Sequence, residues 1–79
     1  MSYATVKERL HRRPFEPFRV CLSNGDRYEV WHPEMALLVR GGLYVAVPDA
    51  SGEPPEVPIW CRLLHIAALE PCSVGRQSQ

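Results

Sequence analysis

The tripeptide Ser23-Asn24-Gly25 separates two runs in which apolar and polar side chains alternate. A three-residue loop with Gly25 in the left-handed region joins such runs as an antiparallel hairpin. A two-residue loop would slip the register by one residue and mix the apolar side chains with the charged ones. We therefore predict strands at 18–22 and 26–31, with one apolar and one charged face. The predicted cross-strand pairs are Phe18 with Val30, Val20 with Tyr28, Arg19 with Glu29 and Cys21 with Arg27.

One helix and three further strands are predicted around this hairpin. Tyr3, Val6 and Leu10 recur at three- and four-residue spacing, which indicates a short amphipathic helix. Pro14 ends it, because the residue before a proline disfavours helical conformation. The predicted helix spans about 3–12, and the later strands span about 35–39, 43–47 and 57–69. The last of these bends at His65, after which 66–69 forms a short strand or a 3₁₀ turn. A single domain at 1–71 and a mobile tail at 72–79 are expected.

The later strands are apolar on both faces. Neighbouring positions hold large apolar side chains: Leu37 beside Leu38, Tyr44 beside Val45, and Ile59 beside Trp60. A sheet in a monomer of 79 residues normally exposes one face to water and alternates in polarity. We therefore expect a mainly β fold with one N-terminal helix (α+β). Its five strands are expected to form a closed small barrel or a strongly bent antiparallel sheet. A subunit interface, alone or together with the barrel, would also shield the second apolar face from water.

Four motifs follow one another along most of the chain. They read RPF-x-PFR at 13–19, LS-[ND]-G at 22–25, YEV-x-HPEMA at 28–36 and HI-x-x-LEP at 65–71. In this series the chain resembles a set of short uncharacterised bacterial proteins. The resemblance implies membership of one family and brings no activity with it.

The order of the predicted elements is similar to that of the Sm-like small barrel, a helix followed by five strongly bent strands. The stretch Leu22-Ser23-Asn24-Gly25 matches the turn of the first Sm motif. Ala36 stands where Sm-like proteins place a base-contacting Asn, and Leu64-His65 stands where their second motif has Arg-Gly. The resemblance therefore implies an Sm/SH3-like barrel, but its RNA-contacting residues do not carry over, and fold analogy alone does not determine function.

Charge is unevenly distributed along a chain whose net charge is zero. Residues 1–20 contain five basic and two acidic side chains, and residues 21–79 contain four basic and seven acidic ones. A basic N-terminal region makes Arg12, Arg13 and Arg19 candidate contacts for nucleic acid. The overall balance argues against that role, because affinity for phosphates depends on an excess of positive charge.

A second group of side chains suits a protein interface. Trp31, Trp60, Arg62 and Leu64 are of types that interfaces enrich or bury, and the two-faced apolar strands need covering. We therefore predict these four residues as candidate interface anchors, with a homo-oligomer or another protein as the partner.

Three further residues are weighed as a metal or acid–base site. His32, Glu34 and His65 lie on segments that are able to converge, and three ligands are the minimum for a catalytic zinc. They lack the i, i+4 ligand pair typical of helical zinc sites, so a corner at His32-Pro33-Glu34 and a bend at His65 are the favoured interpretation. We predict no catalytic residue, metal or cofactor, and the sequence leaves open whether the three residues meet.

The cysteines indicate the compartment more than the chemistry. Cys21, Cys61 and Cys72 are odd in number and widely spaced, which predicts neither a disulfide framework nor a zinc motif. Cys21 would lie beside Arg19 and Arg27, a setting that favours a thiolate, yet an ordinary strand residue is the favoured interpretation. With no apolar run long enough for a membrane span, a cytoplasmic protein without membrane association is expected.

The sequence as a whole favours binding over catalysis. We predict a small non-enzymatic binding or adaptor module that self-associates. The alternative is a nucleic-acid-binding protein of the Sm-like class that uses the basic N-terminal region.

Overall fold

The structure is a computed structural model, and it describes residues 1–72. Within these residues no helix has the length and apolar character needed to cross a membrane. The predicted tail lies outside the described residues except for Cys72. In chain order the elements are α1 (Tyr3–His11), β1 (Phe18–Leu22), β2 (Arg27–Val30), β3 (Ala36–Val39), β4 (Gly42–Val45), β5 (Ile59–Arg62) and β6 (Ile66–Pro71), with short 3₁₀ helices at Pro33–Met35 and Leu63–His65.

The strands form two separate three-stranded antiparallel sheets. Sheet 1 has the order β2–β1–β6, and sheet 2 has the order β3–β4–β5. The predicted five-stranded Sm/SH3-like barrel, or single strongly bent sheet, is therefore wrong. The chain is instead an α+β arrangement of one helix and two sheets.

The two 3₁₀ helices explain the error. The first, Pro33–Met35, carries the chain from sheet 1 to sheet 2, and the second, Leu63–His65, carries it back. Pro33 has no N–H to continue a strand ladder, so β2 and β3 remain separate. The predicted bend at His65 is the end of the second 3₁₀ helix, which divides 57–69 into β5 and β6, and these two strands lie in different sheets.

The hairpin of β1 and β2 is as predicted. All four expected pairs are present: Phe18 with Val30, Arg19 with Glu29, Val20 with Tyr28 and Cys21 with Arg27. The Leu22 N–H donates to the Asp26 carbonyl at 2.8 Å and closes a three-residue loop. Gly25 has φ 98°, the left-handed conformation that this loop requires.

One apolar core joins α1 to both sheets. It consists of Val6, Leu10, Phe18, Val20, Val30, Leu43, Val45, Cys61 and Ile66. The helix begins at its Ser2 cap, whose hydroxyl accepts from the Thr5 N–H at 3.2 Å. It buries Val6 and Leu10, as its spacing predicts, whereas Tyr3 is exposed. The inner faces of the two sheets thus cover each other, and their outer faces remain available to solvent.

Candidate interaction surface

Sheet 2 has an apolar outer face. Leu43 and Val45 of its central strand are fully buried, so the side chain of Tyr44 between them points outward. Tyr44 pairs directly with Leu37 on one side and with Trp60 on the other. These three side chains, named here the outer row, remain 62% (Leu37), 37% (Tyr44) and 40% (Trp60) exposed. Three large apolar groups side by side in water are typical of an interaction surface.

The indole ring of Trp60 lies over two glycines, Gly41 and Gly42, and against the ring of Tyr44. Its ring lies 4.7 Å from that of Tyr44, between centroids, at an interplanar angle of 40°. It also extends over Gly42, where an added Cβ would lie 2.8 Å from the indole Cη2. At Gly41 the nearest indole atom would be 3.8 Å away. The missing side chain at Gly42 therefore leaves the space into which the indole packs.

A hollow lies at one end of the outer face. It has a volume of about 320 Å³, and Glu34 is the only ionisable carboxylate among its lining residues. Ala46 and Pro58, which lie just outside β4 and β5, place it two residues from Tyr44 and Trp60. This Glu34 hollow is lined by Glu34, Met35, Ala36, Leu37, Tyr44, Ala46 and Pro58.

A basic groove lies at the opposite end. Its volume is about 480 Å³, and it contains both Arg40 and Arg62. Arg62 pairs with Gly42, two residues from Tyr44 in the direction away from the hollow. This Arg62 groove is lined by Met1, Arg40, Gly41, Trp60, Arg62, Leu63 and Leu64.

The charges at the two ends are not neutralised by other side chains of the described residues. Among residues 1–72, no salt bridge involves Glu34, Arg40 or Arg62. The outer face therefore has an apolar centre, an acidic end and a basic end. Such a pattern suits a partner with the same features in the opposite order.

Sheet 1 presents the contrasting case. On its outer face Arg19 lies between two carboxylates, 3.1 Å from Glu29 and 3.3 Å from Glu70. The indole N–H of Trp31 also donates to Glu29 at 2.9 Å. These hydrogen bonds, that of Trp31 first and that of Arg19 next, lower the pKa of Glu29. Arg19, Glu29 and Glu70 are thus satisfied by one another, whereas Arg27 on the same face is exposed and, among residues 1–72, forms no salt bridge.

The three arginines predicted as nucleic-acid contacts are engaged elsewhere. Arg12 binds the carboxylates of Glu8 at 2.6 Å and Glu16 at 2.8 Å, and Arg19 binds the two of sheet 1. Arg13 donates to the backbone carbonyls of Leu10 and Arg12. A phosphate would have to compete with these partners, so the arrangement offers little support for binding nucleic acid.

The predicted interface anchors are only partly brought together. Trp60, Arg62 and Leu64 line the Arg62 groove, and Leu64 is 84% exposed. Trp31 follows β2 in the other sheet and does not line the groove. Leu37 and Tyr44 were not predicted as anchors, although their two-faced strands were the signal that could have identified them.

His32, Glu34 and His65 do not form a metal site. Within residues 1–72, no group of three His, Cys, Asp or Glu side chains could hold a metal ion. Glu34 lines the hollow on sheet 2, whereas His65 lines a different cavity beside Ser23 and Asn24. The 3₁₀ helices that carry them serve as corners between the sheets.

Cys21 is not activated as a nucleophile. Burial raises its pKa, the nearby Glu70 carboxylate raises it further, and these effects exceed the opposing ones of Arg27 and Arg19. The two arginines favour the thiolate, as expected, but burial and Glu70 outweigh them and keep the pKa of Cys21 raised. The sequence could not reveal Glu70 as a neighbour, because β6 pairs with β1 only in the folded chain.

We expect Cys21 to react with iodoacetamide more slowly than glutathione does at about pH 7.5, because a raised pKa leaves less thiolate. Peptide mass spectrometry of the alkylated protein measures the rate at this residue. The urea-unfolded chain serves as the control, in which Cys21 should approach the rate of a free thiol. A folded-state rate above that of glutathione would contradict the assignment of an inert strand cysteine.

Comparison of the chain with protein-family models, with curated proteins and with solved structures finds no match. Any assignment of function therefore depends on the surface itself. Its dominant feature is the outer row between two ends of opposite charge.

Proposed function

We propose that this protein is a non-enzymatic binding module that self-associates, and that the outer face of sheet 2 is the surface on which a second copy packs. The observation that carries the proposal is the outer row, three exposed apolar side chains in direct cross-strand register. Aromatic side chains at the centre of a patch are those that contribute most to protein association. Burial against a partner would remove them from water.

A second copy of the chain is the partner that fits this face best. The centre of the face is uncharged, so two copies can pack like on like without repulsion. The net charge of the whole chain is zero, which removes long-range repulsion between copies. The acidic end of one copy can meet the basic end of another, which supports self-association over a partner of uniform charge.

The size of the surface suggests the strength of association. Seven residues line the Glu34 hollow and seven line the Arg62 groove. A standard interface uses roughly 20–30 residues on each side. We therefore expect a dimer with a dissociation constant in the micromolar range.

The three free cysteines fit a protein of the reducing cytoplasm.

We expect Leu37→Glu to abolish dimer formation, because it places a carboxylate at the most exposed position of the outer row. Sedimentation velocity from about 10 to about 500 µM measures the dissociation constant, and we expect it to rise by ~30-fold or more. Circular dichroism should show an unchanged fold, since this side chain lies outside the core.

Val57→Glu is the matched control, because Val57 is 73% exposed and lies outside the outer row, the hollow and the groove. It should dimerise like the wild type. A wild-type protein that stays monomeric over this range would overturn self-association. A Leu37→Glu variant that dimerises normally would instead overturn the assignment of the outer face of sheet 2 as the interface. Binding of a different protein to the same face would then be the remaining use of the surface.

A further inference from the structure

We infer that two copies pack through a two-fold axis that runs across the strands at Tyr44, with Arg62 of each copy seated in the Glu34 hollow of the other. The inference rests on the proposed self-association and adds the arrangement of the copies and the contact that selects it. It follows from the chemistry of the hollow, the position of Arg62 and the order of residues along the sheet.

The hollow has the chemistry of a receptor for an arginine or lysine side chain. Six of its seven lining residues supply apolar or aromatic surface, and the seventh supplies the carboxylate of Glu34. A side chain that complements it needs an aliphatic stem and a cationic end, which are the two parts of arginine and lysine. Arginine has the advantage that its guanidinium can bind a carboxylate through two hydrogen bonds.

Arg62 is placed to supply that side chain. Cys61 before it points into the core and is 1% exposed, so Arg62 lies on the same outer face as Trp60. Its partner across the ladder is Gly42, which has no side chain to cover it. It is exposed and, among residues 1–72, forms no salt bridge. The guanidinium is therefore available to a second copy.

The order of residues along the sheet makes the contact reciprocal. Arg62 lies two residues to one side of the outer row on β5, and Pro58 of the hollow lies two residues to the other side. Each offset is about 6.6 Å. A two-fold axis across the strands at Tyr44 exchanges the two ends. It thereby brings Arg62 of each copy over the hollow of the other and packs one outer row against the other.

The other simple arrangement is disfavoured by charge. A two-fold axis parallel to the strands would place the basic end of one copy on the basic end of the other. Arg40 and Arg62 of one copy would then face Arg40 and Arg62 of the other. Glu34 would lie at the end where the second copy offers no arginine from its groove. Like charges facing one another oppose association, so the crossed arrangement is the one selected.

Charge reversal at the two positions tests the arrangement. Arg62→Glu alone and Glu34→Arg alone each create two repulsive contacts in a homodimer, and each should weaken dimerisation by ~10-fold or more. In a heterodimer formed from an equal mixture of the two variants, each of the two contacts again joins an acidic to a basic side chain. One contact keeps the wild-type pair, and in the other both charges are reversed. Sedimentation of the mixture should therefore give a heterodimer with a dissociation constant within about threefold of the wild-type value.

Arg27→Glu is the control, because Arg27 is an exposed arginine of sheet 1 and should leave dimerisation unchanged. A wild-type protein that remains monomeric overturns both this inference and the proposed function. A wild-type dimer with charge-reversal variants that dimerise normally overturns the arrangement alone. Weakened variants whose mixture shows no recovery also overturn it, since the two charges would then not meet.

Discussion

Gly42→Ala is expected to destabilise the fold by about 3 kcal/mol, the upper part of the range for overpacked sites. The added Cβ would collide with the Cys61 carbonyl oxygen and would lie 3.0 Å from Arg62 Cα and 2.8 Å from the Trp60 indole. Two of these neighbours are backbone atoms of β5, which cannot rotate away as a side chain can. Relief requires β4 and β5 to separate, and that weakens the central pairing of sheet 2.

The measurement is urea unfolding followed by circular dichroism. Gly41→Ala is the matched control, because its Cβ would meet nothing closer than 3.8 Å and its φ lies outside the left-handed region. It should change the free energy of unfolding by less than about 0.5 kcal/mol. An equal loss in both variants would contradict the close approach of β5 to Gly42. A loss at Gly42 alone would confirm that approach.

Leu43→Ala is expected to lower the free energy of unfolding by about 3 kcal/mol, within the usual range for a buried leucine. Leu43 is fully buried in the central strand of sheet 2 and faces the core shared by both sheets. The substitution leaves a cavity between α1 and the two sheets that short strands on all sides cannot easily close. Domains of this size have a total stability of roughly 4–12 kcal/mol, so the loss is a large fraction.

Leu64→Ala makes the same chemical change at a leucine that is 84% exposed, and it should cost less than about 0.5 kcal/mol. Both variants are best measured by urea unfolding in a Leu37→Glu background, since dimer formation would otherwise add to the apparent stability. Similar losses at the two positions would contradict the division between an inner and an outer face of sheet 2.

The local parts of the fold follow from the sequence alone. The helix over Tyr3–His11 and the hairpin register require only spacing, capping and the loop conformation of Gly25. These interactions join residues close in the chain, so the position of each element can be predicted without the rest of the molecule, and packing of Val6 and Leu10 into the core then stabilises the helix. The bend at His65 was also predicted, but the passage of the chain from β5 in sheet 2 to β6 in sheet 1 was not. The 3₁₀ helix at Leu63–His65 that carries it depends on distant contacts, such as that of the Leu63 N–H with the Gly41 carbonyl.

The candidate surface was predictable in part. Trp60, Arg62 and Leu64 were identified from residue type, and the two-faced apolar strands indicated that some cover is needed. The sequence could not say that sheet 2 alone carries the uncovered face. It also could not show that Arg19 is engaged by Glu70, a residue 51 positions away.

Residue order by itself determined the short-range features of this protein: one helix, a hairpin of known register, and strands with apolar side chains on both sides. Only the tertiary structure decided how the strands divide into two sheets, which apolar face is left open, and which charges among residues 1–72 remain without a partner. Periodicity specifies that a strand has two faces, but the choice of the buried face depends on which distant strands pack against it. The outer row of Leu37, Tyr44 and Trp60 is the result of that choice.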